Sequence, residues 1–314
     1  MVKIVAETIS QSSILTSYEL IREHIRRTPI LRVPAGELIE DVPVTLKFEQ
    51  IQHAGSFKSR GAFNALLSSD LTDAGVIAAS GGNHGAAVAY AAYKLGIRAE
   101  IFVPEIVAAA KLAKLEEYGA KINIVGRNFS EALETCLMRQ KETGAKLLHA
   151  YDQFEILTGQ GTVGLEFEEQ APELDSLLIA VGGGGLIGGV SSWYRGRVKI
   201  IAVETEGTAT LHSAREAGQP IDITVSGLAA DALGASTIGT RGYEAAEKFV
   251  SGSILVSDQD VAKAQRVLWE NFRQIAEPGG ATALAALLSG KYVPEPNEKV
   301  GVLVCGGNMD LSKL

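Results

Sequence analysis

The sequence predicts an α/β protein built from parallel sheets that are covered by helices on both faces. Short apolar runs of strand length alternate with longer amphipathic segments from about residue 44 onwards, which is typical of βαβ units. The length of 314 residues exceeds one ordinary domain and indicates about two. Hydrophobic residues make up 46% of the chain, so it can bury a large core without disulfides.

Seven runs are predicted as strands: Val44–Phe48, Val76–Ala79, Ala99–Val103, Lys121–Val125, Leu177–Val181, Lys199–Val203 and Val300–Val304. Four segments between them are predicted as helices: His84–Leu95, Ala108–Tyr118, Ser130–Thr143 and Ala262–Gln274. The strands fall into two groups that separate near His149–Gln153. We expect a large domain of residues 1–70 and 151–314 and a small domain of residues 71–150. Ligands of such sheets sit at the carboxyl ends of the strands, which here means the cleft between the domains.

Charge and composition exclude several classes of protein. The net charge is -8 and no basic stripe is visible, so we expect no nucleic acid partner. The two cysteines, Cys136 and Cys305, lie far apart and do not indicate a disulfide framework. Residues 1–17 lack a basic segment followed by a long apolar run, and no run reaches the length of a membrane span. We therefore expect a cytoplasmic protein without a signal peptide or membrane segment.

The first candidate for chemistry is Lys58, in the segment SFKSRGA at residues 56–62. A cation near the start of a helix is disfavoured by the helix dipole. A Schiff base with a carbonyl cofactor would explain the lysine, because imine formation needs an amine that can lose its proton. The alternative is a solvated surface lysine, and one lysine does not decide between them.

The second candidate is the segment SGGNHG at residues 80–85, directly after the strand Val76–Ala79. Its glycines allow backbone N–H groups to approach an anion closely, and the following helix start suits a carboxylate. The amide of Asn83 can donate a hydrogen bond to a cofactor hydroxyl. The alternative is that Asn83 only caps the helix His84–Leu95.

The third candidate is the run of glycines Gly182–Gly185 between a strand and a helix, which favours a phosphate-binding loop. The same loop also fits the dinucleotide pattern G-x-G-x-x-G through Gly183, Gly185 and Gly188. Glu204 stands near the spacing expected of a ribose-binding acid. An NAD-dependent oxidoreductase is therefore the alternative from this loop, although it leaves the first two segments unexplained.

The fourth candidate is Cys305, which begins the segment CGGN after the strand Val300–Val304. Most free cysteines are small core residues. A position at the carboxyl end of a strand is equally suited to a ligand contact.

In this order, SFKSRGA, SGGNHG, GGGGL and CGGN resemble the fold-type II pyridoxal phosphate enzymes, which have the tryptophan synthase β-like fold. The resemblance is to the branch of threonine/serine dehydratases and serine racemases. HIRRTPILR (24–32), TGQGT (158–162) and AEPGGATALAAL (276–287) match that branch as well, so nearly the whole chain is covered. The resemblance implies a homodimer with pyridoxal 5'-phosphate in the cleft between two α/β domains.

The resemblance also implies a role for each matching residue. Lys58 carries the cofactor as a Schiff base and exchanges the α-proton of the substrate, while Cys305 faces the pyridine nitrogen. The implied cofactor-binding residues are Phe57, Lys58, Asn83, Gly182, Gly183, Gly184, Gly185, Leu186 and Cys305. The implied residues of the loop that binds the substrate carboxylate are Ser80, Gly81 and His84.

Three departures from the family pattern refine this prediction. Racemases of the branch have a serine at the position of Gly81, which indicates a dehydratase here. The divalent-cation pattern of a glutamate and, six residues later, an aspartate is reduced to Glu204 and Thr210. With the carbonyl of Thr208, these ligands suit a monovalent cation, and the alternative is that Glu204 is a solvated acid. The sequence ends soon after CGGN, without the regulatory domain of biosynthetic relatives, so we expect no control by isoleucine.

The predicted activity is elimination from a small amino acid, L-threonine or L-serine, to give a 2-oxo acid and ammonia. Two alternatives on the same fold are a serine racemase and a non-catalytic carrier of the cofactor. A bulkier or acidic β-hydroxy amino acid is also compatible with the sequence, because the side-chain pocket cannot be sized from it.

Overall fold

The computed structural model describes residues 8–310 of the chain. The strands are β1 (Ile30–Val33), β2 (Val44–Phe48), β3 (Val76–Ala79), β4 (Ala99–Val103), β5 (Lys121–Ile124), β6 (Lys146–Leu147), β7 (Ser176–Ala180), β8 (Lys199–Thr205), β9 (Val250–Val256) and β10 (Val300–Val304). The helices are α1 (Gln11–Ile21), α2 (Lys58–Leu67), α3 (Asn83–Leu95), α4 (Ala109–Glu117), α5 (Phe129–Thr143), α6 (Phe154–Gln170), α7 (Gly185–Tyr194), α8 (Thr210–Ala217), α9 (Ala230–Leu233), α10 (Thr240–Phe249), α11 (Asp258–Phe272) and α12 (Pro278–Leu288).

The strands form two separate sheets. A six-stranded sheet has the order β1-β2-β10-β7-β8-β9, and a four-stranded sheet has the order β5-β4-β3-β6. All neighbouring strands are parallel except β1, which pairs antiparallel with β2 at the edge of the larger sheet. The predicted α/β fold with parallel sheets is therefore confirmed, with this edge strand as the exception. The domain boundaries remain a prediction, although β3–β6 all lie within residues 76–147.

All seven predicted strands are present, and β2, β3, β4 and β10 have the predicted bounds. The four predicted helices are present with shifted ends, and α11 starts four residues before the predicted Ala262. Sequence reasoning missed β1, β6 and β9. β6 has only two residues, β1 is interrupted by the exposed Arg32, and Gly252 and Ser253 break the apolar run of β9.

Burial explains why the central strands were easy to recognise. Every residue of β2, β7 and β10 is buried. Helices cover both faces of a parallel sheet, so its strands are apolar throughout instead of alternating. The alanine-rich helix α3 packs against the four-stranded sheet and ends at Gly96, whose φ of +68° is the left-handed conformation that glycine favours at a helix end.

Helix α2 is fixed by a set of buried charges that we call the buried charge cluster: Lys47, Glu49, Arg60 and Glu166. Arg60 donates to both carboxylate oxygens of Glu49, at 2.9 and 2.7 Å, and to Glu166 at 3.0 Å. Lys47 donates to Glu166 at 2.5 Å and to the Thr28 carbonyl at 2.9 Å. Two cations and two anions thus neutralise one another between α2, α6 and β2.

Residues 8–310 contain no helix that is both long and apolar enough to cross a membrane. The prediction that no signal peptide occupies residues 1–17 falls partly outside the described residues, which begin at residue 8.

Candidate active site

Lys58 is the first residue of α2, and its side chain is half-buried where it lines a cavity. Its Nζ donates a hydrogen bond to the carbonyl oxygen of Ala150 at 2.6 Å. Burial lowers the pKa of the amine to about 8, although Cys305 and Glu277 favour its charged form. The alternative of a solvated surface lysine is therefore wrong. The environment instead makes the neutral, nucleophilic amine accessible near physiological pH.

The glycine loop after β7 leads directly into α7. Gly184 precedes the helix with a φ of +86°, a conformation that side chains rarely adopt. A Cβ at Gly183 would lie 2.2 Å from the ring of Tyr151, so a side chain there would collide with that ring. The first N–H groups of a helix have no partner within the helix, and Gly182–Leu186 line a cavity at this helix start. This geometry fits the phosphate of a cofactor.

One cavity brings together the cofactor-binding residues that the sequence predicts. It is lined by Phe57, Lys58, Asn83, Gly182, Gly183, Gly184, Gly185, Leu186 and Cys305. These residues come from the starts of α2 and α3, the loop between β7 and α7, the start of α7 and the segment after β10. The predicted substrate residues Ser80, Gly81 and His84 do not line it.

The cavity also contains residues that sequence reasoning missed, among them Tyr151, Leu233 and Glu277. Glu277 precedes the proline at the start of α12, inside a segment that was used only for the resemblance. An acid before Pro-Gly-Gly was the signal that could have identified it. Tyr151 and Leu233 lie in or next to irregular segments, where no periodic pattern marks a lining residue.

Asn83 is held by two other polar side chains. Its Nδ2 donates to Glu277 Oε1 at 2.5 Å, and its Oδ1 accepts from Asn308 Nδ2 at 2.7 Å. The residue that caps α3 is Gly82, and Asn83 is the first residue inside the helix. The alternative that Asn83 only caps this helix is therefore wrong. Burial raises the pKa of Glu277 to about 7, against the hydrogen bond from Asn83, which lowers it.

Cys305 is buried at the end of β10, where it lines the cavity. Its thiol donates to the carbonyl oxygen of Gly279 at 3.4 Å, and burial raises its pKa. The side chain is therefore a neutral, weak hydrogen-bonding group. The backbone N–H of Phe57 donates to the Cys305 carbonyl at 3.1 Å, which ties the start of α2 to the end of β10.

In the loop after β3, the side chains of Ser80 and His84 bind neighbouring backbone. Ser80 Oγ accepts from the Gly82 N–H at 3.2 Å, and the imidazole of His84 hydrogen-bonds through Nε2 to the Leu148 carbonyl at 3.0 Å. Burial lowers the pKa of His84 to about 3, so the ring is neutral. These side chains shape the loop, and its backbone N–H groups remain the candidates for binding a carboxylate.

Glu204 is fully buried, so the alternative of a solvated acid is wrong. Its carboxylate accepts from the N–H groups of Leu211 at 2.7 Å and His212 at 2.9 Å, at the start of α8. The hydroxyl of Thr210 donates to the Gly182 carbonyl at 2.6 Å, and that of Thr208 pairs with Thr205. Glu204 does not line the cavity beside the glycine loop, so it is not placed to bind the ribose of a dinucleotide there. Within residues 8–310, no group of three or more His, Cys, Asp or Glu side chains could hold a metal ion.

The fold and the cavity together define a class of enzyme. A half-buried lysine with a lowered pKa shares one cavity with a glycine loop suited to phosphate, at the end of a mainly parallel sheet. A cofactor that carries both a phosphate and an aldehyde fits this arrangement. The chain belongs to the pyridoxal-phosphate dependent enzyme family, whose model matches residues 21–306. The predicted family is thereby confirmed.

Individual relatives are consistent with this family. An L-threonine ammonia-lyase of Geobacter sulfurreducens is 33% identical over 94% of this chain and 74% of its own length. A phenylserine dehydratase of Ralstonia pickettii is 34% identical over 92% of this chain and 90% of its own. The structure of maize serine racemase superposes with a TM-score of 0.91 at 32% identity, covering 98% of this chain and 96% of the other.

Proposed function

We propose that the protein is an ammonia-lyase that converts a β-hydroxy amino acid, L-threonine or L-serine, into a 2-oxo acid and ammonia. The observation that carries the proposal is the meeting of Lys58, the glycine loop and Cys305 in one cavity. The ammonia-lyase and dehydratase among the relatives support the same reaction.

Each side chain has a defined task in this proposal. Bound pyridoxal phosphate supplies an electron sink for the pair left behind when the α-proton departs. The Gly182–Gly185 loop and the Leu186 amide would hold its phosphate, with Phe57 beside Lys58. Lys58 Nζ would carry the cofactor and remove the α-proton, which a pKa of about 8 allows near neutral pH. Cys305 would offer the ring nitrogen a neutral partner, which favours prompt loss of the β-hydroxyl.

The substrate carboxylate would bind to the loop of Ser80, Gly81 and His84. The imidazole of His84 is neutral and bonded to Leu148, so the attraction would come from backbone N–H groups at the start of α3. The side-chain hydroxyl of Ser80 already accepts from Gly82 and serves to hold the loop.

A panel of β-hydroxy amino acids tests the reaction. L-threonine, L-serine and 3-phenylserine, the last because of the phenylserine dehydratase among the relatives, should be compared for release of ammonia and 2-oxo acid. Borohydride reduction followed by peptide mapping should place the cofactor on Lys58. Tight binding of the cofactor without turnover of any substrate would support the non-catalytic carrier instead.

The similarity to serine racemase makes racemisation the second candidate. Racemisation needs an acid and a base on opposite faces of the reacting carbon, and Gly81 has no side chain to act on the second face. A Cβ at Gly81 would also lie 2.7 Å from Val107 Cγ2, so Gly81→Ser requires Val107 to move. Chiral analysis of L-serine recovered from partial turnover decides the matter. D-serine formed as fast as pyruvate would support the racemase.

Three further proposals rest on the resemblance: a homodimer, a cytoplasmic location and a monovalent cation bound by Glu204, Thr208 and Thr210. The buried carboxylate of Glu204, whose pKa burial raises to about 7, gives a cation a reason to bind there. Activity that rises with potassium and resists chelators would support the cation, and light scattering would measure the oligomeric state.

A further inference from the structure

The cavity contains a carboxyl group to which the proposed reaction assigns no task. Glu277 is 5% exposed and sits before α12, where its Oε1 accepts a hydrogen bond from Asn83 Nδ2 at 2.5 Å. A buried carboxyl group is expensive unless it has a function or good partners. Its contact with Asn83 indicates what that function is.

The amide of Asn83 is fixed from both ends. Its oxygen accepts from Asn308 Nδ2 at 2.7 Å, and Asn308 is itself anchored by donating to the Ala54 carbonyl at 2.7 Å. Its nitrogen donates to Glu277. A rotation of the amide by half a turn would place two donors together at Asn308 and two acceptors together at Glu277. One orientation is therefore enforced, and it leaves the second N–H of Nδ2 unused by these partners.

We propose that Glu277 is a positioning residue that acts through Asn83, holding this amide so that its second N–H can bind the ring of the cofactor. The inference rests on the proposed function in one respect, namely that pyridoxal phosphate occupies the cavity. Glu277 contacts the Asn83 amide directly, and the proposed role requires no contact between Glu277 and the substrate.

Charged and titratable groups surround Glu277 from four elements. Lys58 of α2 and Lys111 of α4 favour its ionised form, and Asp231 of α9 opposes it. The thiol of Cys305, after β10, is the fourth group. Burial outweighs the two lysines and raises the pKa of Glu277 to about 7. An ionised carboxylate accepts a stronger hydrogen bond than a neutral acid, so the hold on Asn83 should tighten as the pH rises through neutrality.

Two substitutions at one position separate charge from contact. Glu277→Gln keeps an oxygen that accepts from Asn83 but cannot titrate, whereas Glu277→Ala removes the acceptor. Glu295→Gln, at an exposed acid, is the matched control. The readouts are the dissociation constant of pyridoxal phosphate, measured by titrating cofactor-free protein, and the absorption spectrum of the bound cofactor across neutral pH.

We expect Glu277→Gln to bind the cofactor within about threefold of wild type while its spectrum loses a pH-dependent change centred near neutrality. Glu277→Ala should weaken cofactor binding by about tenfold and shift the absorption maximum at every pH. A purely structural role would lower the melting temperature without moving the spectrum.

A wild-type spectrum and affinity in Glu277→Ala would overturn the inference, and so would an unchanged pH titration in Glu277→Gln. If Glu277→Ala does not fold, the titration of Glu277→Gln decides alone. Failure of the wild-type protein to bind pyridoxal phosphate would contradict the proposed function instead, so the two failures can be told apart.

Discussion

Helix α2 carries two cations, the half-buried Lys58 and the fully buried Arg60, and their surroundings have opposite effects on their charges. Arg60 lies in the buried charge cluster, where Glu49 and Glu166 outweigh burial and raise its pKa. Lys58 lies in the cavity, hydrogen-bonded to a carbonyl group, and burial lowers its pKa to about 8. The two residues are only two positions apart in the chain. Arg60 is nevertheless held in its charged form, whereas the neutral form of Lys58 becomes accessible near neutral pH.

The carboxyl groups of the two regions differ in the same way. The guanidinium of Arg60 overcomes burial and keeps the pKa of Glu49 below its ordinary value. Glu277, with an amide as its hydrogen-bond partner, has a pKa raised to about 7. Burial thus has opposite consequences that depend on whether a full opposite charge is in contact. The paired charges of the buried charge cluster stabilise the fold. The unpaired reactive groups of the cavity, Lys58 and Glu277, lower the stability of the cofactor-free protein.

The largest predicted effect is the loss of catalytic activity when Lys58 of the cavity is replaced. Lys58→Ala should lower the rate of ammonia release by about 10²- to 10⁴-fold, because no other group would carry the cofactor and remove the α-proton. Lys141→Ala, at an exposed lysine, is the control and should retain the wild-type rate. A Lys58→Ala protein with more than about a tenth of wild-type activity would contradict the role of Lys58.

The second predicted effect is a difference in the free energy of unfolding between substitutions of Arg60 and of Lys58. Arg60→Met should lower the free energy of unfolding by about 3–5 kcal/mol, because it leaves two buried carboxylates with only Lys47 as a counter-charge. Lys58→Met should change the same quantity by less than about 1 kcal/mol, since it removes a poorly compensated amine. Urea denaturation of the cofactor-free proteins measures both. Equal losses in the two variants would show that their environments do not differ.

The pH dependence of stability should have opposite signs at Glu277 and Glu49. The folded pKa of Glu277, about 7, exceeds its unfolded value, so the native state binds more protons between those values and loses stability as the pH rises through them. The contribution of Glu49, whose folded pKa is lowered, is instead present above the unfolded pKa and lost in acid.

Glu277→Gln removes this effect, so the cofactor-free variant should be more stable than wild type, and by more at pH 7 than at pH 5. The gain in the free energy of unfolding over wild type should grow by roughly 1–3 kcal/mol between the two pH values. Glu49→Gln should instead destabilise it, and more strongly at pH 7 than in acid. Thermal melts of the three proteins at several pH values are sufficient. A Glu277→Gln protein whose stability follows the wild-type pH dependence would show that Glu277 does not titrate in this range.

The smallest effect is expected at Cys305, the neutral group of the cavity. Cys305→Ser should keep the elimination rate within about tenfold of wild type, a barrier change of about 1.4 kcal/mol, because both side chains are neutral and weak partners. Cys305→Asp adds a charge close to Glu277 and should slow the reaction further. Equal rates in wild type and Cys305→Asp would exclude a contact between this residue and the cofactor.

Sequence reasoning succeeded where one local pattern carries the information. The buried strands β2, β3, β4 and β10 were predicted with the observed bounds, because continuous apolar runs mark strands covered on both faces. The residues that line the cavity were predicted because glycines and a lysine at strand and helix ends form ordered motifs. The cavity confirms that these motifs meet, while the tasks of the individual residues remain predictions.

The sequence could not reveal what depends on contacts between distant segments. That Lys58 and Glu204 are not solvated surface residues became clear only from their burial in the structure. The two hydrogen-bond partners of Asn83 are 194 and 225 residues away in the chain, so no local pattern could reveal them. The buried charge cluster was also missed, because each of its residues, taken alone, has the composition of a protein surface.

The position of β10 has a consequence for how the protein is made. This strand, at residues 300–304, inserts between β2 and β7, whose sequences are synthesised much earlier. While the chain is still being synthesised, β2 can pair only with β1. Its other neighbour, β10, becomes available once residue 304 has emerged from the ribosomal exit tunnel. Cys305 and Asn308 follow this strand. Sheet closure and assembly of the catalytic cavity thus both wait for residues 300–308, and a chain truncated before residue 300 would have neither.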